Sequence, residues 1–537
     1  MRVLGIEGTA WAASAAVYDT ATGAVEIETD AYQPDSGGIH PREAAEHMGD
    51  HVPEVVERML DHARGLAADD PDCAADEPPV DCVAFSRGPG LGPCLRIVAT
   101  AARAVAQRLD VPLVGVNHMV AHLEIGRHRS GFSSPICLNA SGANAHVLAY
   151  RNGRYRVLGE TMDTGVGNAI DKFTRHLDWS HPGGPKVEEA ATEGEYHELP
   201  YVVKGMDFSF SGVMSAAKQA VDEGVPVEDV CHGLQESVFA MLTEVSERAL
   251  SLTGTDELVL GGGVGQNARL REMLAEMCEQ RGADFFAPEP RFLRDNAGMI
   301  AVLGAKMYDA GDTLPIAESR IDADFRPDEV AVTWRGAESV HYRSGDADEL
   351  QGAEATVAID GDRVIKRREP RSYRHPELDE RLRVQRTREE ARLTAEARRH
   401  GVPTPVLLDV DPWETRLVFE FVGDADLRES LTEPRVRDVG RHLATIHEGG
   451  FVHGDPTTRN VRVEGDGRTY LIDFGLGYYT DDREDHAMDL HVLAQSLAGT
   501  ADDPGPLLAA AEDAYRSAGD ERVLDHLREI EGRGRYQ

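Results

Sequence analysis

Lysine is nearly missing from this chain. Of 56 basic side chains only six are lysines, at 172, 186, 204, 218, 306 and 366. Cysteine is scarce too: the six (73, 82, 94, 137, 231, 278) are scattered, and none stands in a C-x-x-C pair. That pattern excludes a disulfide framework or a zinc ribbon and leaves reduced, buried thiols. No run of about 18 apolar residues occurs, which excludes a spanning helix and a membrane partner. The first residues meet an acid at Glu7, unlike a signal peptide, so the chain is expected in the cytoplasm.

What is abundant is carboxylate. Against those bases stand 94 acids, a formal charge of −38 over 537 residues. This excludes a generic basic nucleic-acid binder. The 41% of apolar residues exclude a mainly disordered acidic chain. Acid excess with so little lysine is the composition of a protein built for a very salty cytoplasm, where dense carboxylates keep the surface hydrated. One stretch runs the other way: residues 363–399 hold 13 Lys and Arg against seven acids. Such a local cluster is where a polyanion is expected to dock.

At about 150 residues per compact unit the length corresponds to three or four units. Short apolar runs at Val3–Ile6, Ala12–Tyr18, Val80–Ser86, Ile136–Leu138 and Leu258–Leu260 read as strands. Helical stretches are expected at Glu43–Arg64, Cys94–Leu109, Val230–Thr253 and Ala268–Arg281. Strands that run into glycine turns and feed helices describe an α/β architecture with ligand loops at the strand ends. The Asp-, Pro- and Gly-rich segment from Ala310 to Arg335 reads as a linker, and composition shifts beyond it.

Three glycine loops follow strands: Gly5 to Thr9, Asn139 to Asn144 and Gly261 to Asn267. One such loop is an ordinary turn; three spaced along one region favour a nucleotide-type cleft. None has the P-loop pattern. His118 and His122 stand at i and i+4, a spacing that suits two metal ligands or two surface histidines equally. The zinc-protease motif needs Glu directly after the first His, and Met119 stands there. Asp295, in Arg294-Asp295-Asn296-Ala297-Gly298, is the acidic candidate for a third ligand. Asp171 and Glu188 flank another glycine turn. Beside a phosphate cleft such carboxylates bind ribose; elsewhere they are solvated acids.

In the last third, Asp455 and Asn460 in His453-Gly454-Asp455-Pro456-Thr457-Thr458-Arg459-Asn460 keep the spacing of a kinase catalytic loop, and Asp473-Phe474-Gly475 follows. Upstream, Lys366 ends a strand, and Glu390 lies on a helix. These are the parts of phosphoryl transfer from ATP: a phosphate-binding lysine, its glutamate partner, a base, and Asn460 and Asp473 for Mg. No G-x-G-x-x-G occurs; Gly352-Ala353-Glu354-Ala355 stands in its place as the nucleotide loop. No A-P-E follows, so the activation segment is short and favours ATP hydrolysis over protein phosphorylation.

The ordered set G-I-E-G-T-A, N-H-M-V-A-H, S-G-A-N, G-N-A-I-D-K-F, H-P-G-G-P-K-V-E, G-G-G-V-G-Q-N and D-N-A-G-M-I, over about residues 1–325, resembles the archaeal and eukaryotic tRNA threonylcarbamoyladenosine transferase (O-sialoglycoprotein endopeptidase-like) family. The resemblance implies the two-lobed actin/sugar-kinase/Hsp70-type fold. It implies transfer of threonylcarbamoyl from threonylcarbamoyl-adenylate to N6 of the adenosine next to the anticodon, in tRNAs reading codons that start with A. On this chain it implies that His118, His122 and Asp295 hold an iron or zinc cation. Asn139, Ala140, Ser141, Gly142, Ala143, Asp171, Gly184, Glu188 and Asn267 would bind the adenylate. The family's Tyr-Val-Ser-Gly-Gly is here Asn139-Ala140-Ser141-Gly142-Ala143. A tyrosine ligand is thereby replaced by the neutral amide oxygen of Asn139, a weaker ligand.

Residues from about 336, with Gly-Ala-Glu-Ala, R-x-x-x-x-Y-R-H-P-x-L-D from Arg368, H-G-D-x-T-T-x-N and D-F-G-L-G, resemble the small atypical Ser/Thr kinase of the KEOPS complex. This implies other KEOPS-type subunits as partners. Pro456 replaces the family's leucine and removes an N–H from the loop. The expected layout is a transferase region 1–324, a linker 325–338 and a compact bilobal kinase-like α+β region 339–537. The rival is a signalling Ser/Thr kinase with a sugar-kinase-like sensor; it leaves the histidine pair unexplained and lacks an activation loop.

Overall fold

The computed structural model describes residues 1–32, 40–71, 73–74, 77–151, 153–335, 350–351 and 355–533. Gly352, Ala353 and Glu354 lie outside the described residues.

Two five-stranded sheets repeat one plan. In the first the order across the sheet is Ala24–Ala31, Ala12–Asp19, Arg2–Glu7, Cys82–Gly88, Leu113–Asn117. In the second it is Arg154–Glu160, Ala145–Arg151, Ile136–Ala140, Glu257–Gly261, Asp284–Phe286. In each, the three consecutive strands are antiparallel and the other two join in parallel. Parallel neighbours require long crossovers, and the helices Pro41–Asp69, Gly92–Leu109, Val227–Thr253 and Ala268–Arg281 occupy them. Buried on both faces, the inner strands lose polar alternation: Val3, Leu4 and Ile6 are all fully covered. Gly5 marks where the Ala297–Asp309 helix touches the first sheet. A Cβ there would lie 2.4 Å from the Ala297 carbonyl oxygen.

The expected strands and helices form, most of them longer than expected by a residue or more; the strand expected at Val80–Ser86 is shifted by two residues to Cys82–Gly88. Residues 310–335 run back over the two sheets. Leu314 pairs with Leu113, the Phe325 carbonyl accepts from Asn117 Nδ2 at 2.9 Å, and Trp334 stacks on Tyr155.

A third sheet is antiparallel throughout, in the order Leu350–Gln351, Thr356–Asp360, Arg363–Arg367, Arg416–Glu420, Leu407–Asp411. The helix Pro376–Arg399 is inserted between its third and fourth paired strands, and a helical layer from Glu433 to Arg533 follows. The chain is mixed α/β.

The long helix Val227–Thr253 joins the regions, buried over nearly its whole length. Its Glu244 takes Arg374 at 2.6 Å and Arg386 at 3.0 Å, and Glu247 takes Arg371 at 3.2 Å. The Tyr201 hydroxyl donates to Glu244 and that of Tyr373 to Glu247. Charges leave water only when paired and hydrogen-bonded. Part of the basic stretch 363–399 is therefore withdrawn from any polyanion surface. Arg371, Arg374 and Arg386 are buried against these glutamates, and Arg368 against Glu390.

Candidate active sites

The strand Leu113–Asn117 delivers Asn117 as the cap of the next helix, His118–Ser130. The Asn117 side-chain oxygen accepts from the N–H groups of Met119 and Val120. Capping fixes the first turn, so His118 and His122 project from the same face. Their rings meet edge to face at 4.9 Å. Asp295, just before the Ala297–Asp309 helix, closes the cluster: its Oδ1 lies 3.3 Å from His118 Nε2 and 3.2 Å from His122 Nε2. One ligand atom from each of the three lies within 4.8 Å of the others.

Glu7, at the end of the first strand, stands behind His118, with Oε2 3.2 Å from Nδ1. Burial opposes a charge on His118, but Glu7 and Asp295 reverse that and push its pKa up to about 10. Burial pulls His122 down. Asp295, despite its burial, is held well below the usual carboxylate range by the two imidazoles. Two imidazoles and a carboxylate, with a second carboxylate orienting one ring, form a donor set for a borderline-soft cation. Asn139 Oδ1 and His122 Nδ1 are buried with no hydrogen-bond partner, and Asn139 Nδ2 lies 3.7 Å from the sulfur of Met119. Asn139 Oδ1 and His122 Cβ both border Gly261, 3.3 Å and 3.6 Å from where a Cβ on that glycine would stand. Glu7 was not among the residues the sequence singled out; its signal was a single acid inside the first glycine loop.

Two of the three glycine loops, Asn139 to Asn144 and Gly261 to Asn267, meet at the ends of the second sheet, while Gly5 to Thr9 follows a strand of the first. The Gly167 and Asn168 N–H groups donate to the carbonyls of Ser141 and Gly142. Gly262, at φ +83, passes so close to Ala140 that a Cβ would meet its carbonyl oxygen at 2.2 Å. Asp171 Oδ1 accepts from the Gly183 N–H at 2.7 Å, next to Gly184. Glu188 accepts from the Ala268 N–H at 2.7 Å, and the Asn267 side chain caps the same helix. Asn139 to Ala143 thus adjoin the helix bearing Asp171, and Gly184, Glu188 and Asn267 adjoin one another. Both carboxylates are held by backbone donors, which a solvated acid lacks.

In the last third, Lys366 Nζ lies 2.8 Å from Glu390 Oε1 and 2.7 Å from Asp473 Oδ1. Arg368, missed from the sequence, adds a second cation 2.6 Å from Glu390. Asn460 Nδ2 donates to Asp455 Oδ2 at 2.9 Å. The loop is braced from below by Asp489, which accepts from the His453 and Gly454 N–H groups. Asp473 is held at φ +64, a conformation that costs a non-glycine residue about 1–3 kcal/mol and clusters at functional sites. Arg248 of the long helix reaches within 4.0 Å of Asp455. Ala355 is buried.

A family model described as tRNA N6-adenosine threonylcarbamoyltransferase matches residues 21–302. Relatives named "Probable bifunctional tRNA threonylcarbamoyladenosine biosynthesis protein" align along the whole chain. One from Haloarcula marismortui is 75% identical and covers 100% of both chains. One from Halobacterium salinarum is 70% identical over 100% of this chain and 99% of its own. One from Methanospirillum hungatei is 49% identical over 99% of each.

Proposed function

The chain belongs to the tRNA N6-adenosine threonylcarbamoyltransferase family, and from that membership we propose how its two centres divide the work. It modifies tRNA, transferring threonylcarbamoyl from threonylcarbamoyl-adenylate to N6 of the adenosine next to the anticodon. The N6 nitrogen forms a bond to the carbamoyl carbon, the bond from that carbon to the phosphate oxygen breaks, and AMP leaves while N6 gives up a proton. The repeated sheets support the two-lobed actin/sugar-kinase/Hsp70-type reading, with the adenylate lying between the glycine loops. Asn139 to Ala143 and Asn267 cradle it, while Asp171, Gly184 and Glu188 set the loop that meets the ribose. His118, His122 and Asp295 hold an iron or zinc cation, with Asn139 offering its amide oxygen. Such a cation, when bound, supplies Lewis acidity to the oxygens around the scissile bond. Glu7 fixes the tautomer and tilt of His118.

The kinase-like region lies beyond the linker, and in it Lys366 and Glu390 position ATP, Asn460 and Asp473 hold Mg, and Asp455 acts as base. The segment after Asp473 reaches the Arg483–Thr500 helix within a few residues, too short for a protein-substrate platform. ATP hydrolysis in support of the transferase fits it better than signalling. Other KEOPS-type subunits complete the assembly.

The convergence of His118, His122 and Asp295 carries the transferase reading. Unmodified tRNA, threonine, bicarbonate, ATP and the enzyme that makes the adenylate test it. The wild-type chain should modify the tRNA and His118→Ala/His122→Ala should not; equal modification would overturn it.

A further inference from the structure

A second histidine pair repeats the helical spacing of the first. His47 and His51 lie one turn apart on the Pro41–Asp69 helix, with ring centroids 4.3 Å apart. Asp30, on the edge strand Ala24–Ala31, reaches between them: Oδ1 lies 3.3 Å from His47 Nε2 and Oδ2 3.6 Å from His51 Nδ1. One ligand atom from each of the three lies within 4.8 Å of the other two. Zinc–nitrogen bonds of about 2.0–2.1 Å place tetrahedral ligand atoms roughly 3.3 Å apart, so these side chains need little movement to share one ion. His47 Nε2 has the Asp30 carbonyl as a hydrogen-bond partner at 3.2 Å. His51 Nδ1 is buried with none. A second carboxylate, Glu54, stands 3.6 Å from that nitrogen.

We propose that Asp30, His47 and His51 form a second binding site, for a divalent transition-metal cation of the zinc class, sharing no residue with the His118 centre. The donor set argues for that class. Two imidazoles with one carboxylate suit zinc, cobalt or nickel, whereas magnesium and calcium take oxygen ligands. In a chain with 94 acids, the paired imidazoles distinguish this place from the general carboxylate surface. Its position defines its role. Asp30 belongs to the unpaired edge of the first sheet, and the histidines belong to the helix that covers it. A shared ion ties edge strand to helix and stabilises the fold by mass action. The half-exposed setting leaves its remaining positions to water.

The test uses the full chain, stripped with a chelator, held in concentrated KCl and titrated with Zn²⁺ by calorimetry and with Co²⁺ by visible absorption. The wild-type chain should take two equivalents. His47→Gln/His51→Gln should take one and lose part of the tetrahedral Co²⁺ absorption; His118→Gln/His122→Gln should also take one. Asp30→Asn, a single half-exposed change, should weaken the affected equivalent at least about tenfold, which keeps the test open should the double variant fold poorly. A wild-type chain that takes one equivalent, kept by His47→Gln/His51→Gln and lost by His118→Gln/His122→Gln, overturns the proposal. So does a folded His47→Gln/His51→Gln chain that still takes two, or an Asp30→Asn chain with both affinities unchanged.

Discussion

The histidine centre aims three protein ligands at one point, whereas the Lys366 centre aims its acids and bases at each other. At the first, His118 and His122 share the carboxylate of Asp295, and Glu7 stands behind His118. At the second, Lys366 and Arg368 lie against both Glu390 and Asp473, and the Asn460 amide is turned to Asp455. In the proposed reading, a cation entering the first site meets two imidazoles and a carboxylate that already face one another. At the second it has to draw Asp473 off Lys366, which becomes favourable once nucleotide phosphates occupy the lysine. On the proposed function, one centre is arranged for a resident ion and the other for an ion that arrives with its nucleotide.

The sharpest way to break that comparison is to remove the resident-ion ligands. His118→Ala/His122→Ala should lose more than about 1,000-fold in tRNA modification, since even outer partners of a metal site cost about 10–100-fold. ATP turnover should stay unchanged. A parallel fall in ATP turnover would show that the two centres act as one. Asp455→Ala reverses the pattern: ATP hydrolysis should drop about 100- to 10,000-fold, the span of a lost general base. Zn²⁺ uptake by the histidine centre should not move. Uptake that changes would mean that the Arg248 contact to Asp455 reaches the first centre through the long helix. Glu7→Gln is milder. It keeps an oxygen beside His118 Nδ1 but removes the charge that raises its pKa, and should weaken metal affinity about 10- to 30-fold. Unchanged affinity would make Glu7 a bystander.

Much of both centres is legible as spacing. The i, i+4 histidines, the Asp455–Asn460 interval and the glycine loops are local patterns, and local geometry on a helix or turn preserves them. What the sequence hides is pairing over long separations. Arg371, Arg374 and Arg386 read as an exposed basic stretch because nothing local tells them that Glu244 and Glu247, more than a hundred residues earlier, lie against them. Glu7, 111 residues from His118, is hidden for the same reason. The His47/His51 pair has the visible spacing, yet its meaning depends on Asp30 arriving from another strand. The segment 310–335 has linker composition, and it is Phe325, Trp334 and Leu314 that bind it down.

The smallest effect probes how the adenylate loops are held. Asp163 Oδ1 accepts from the Thr164 and Phe210 N–H groups, and Oδ2 from the Ser209 hydroxyl and the Ser211 N–H. The chain just beyond it crosses the Asn139–Asn144 loop so closely that a Cβ on Gly165 would lie 2.3 Å from the Ala143 carbonyl carbon. Burial tends to raise the Asp163 pKa, but these four donors outweigh it and hold the carboxyl below its ordinary value of 3.8. A carboxylate depressed in this way stabilises the fold at pH values above its unfolded pKa, and that contribution fades as pH falls below 3.8. Asp163→Asn should therefore cost about 1 kcal/mol at neutral pH, less in concentrated KCl because the group is partly exposed. In thermal unfolding at fixed KCl, the gap between the two chains should narrow as pH drops from 7 to 3. A gap that stays constant would mean that shape alone pins this loop. The charge-free turn chemistry of the glycines, rather than a carboxylate, would then position the adenylate loop, and the histidine centre would owe less to its ionised surroundings than the Lys366 centre does.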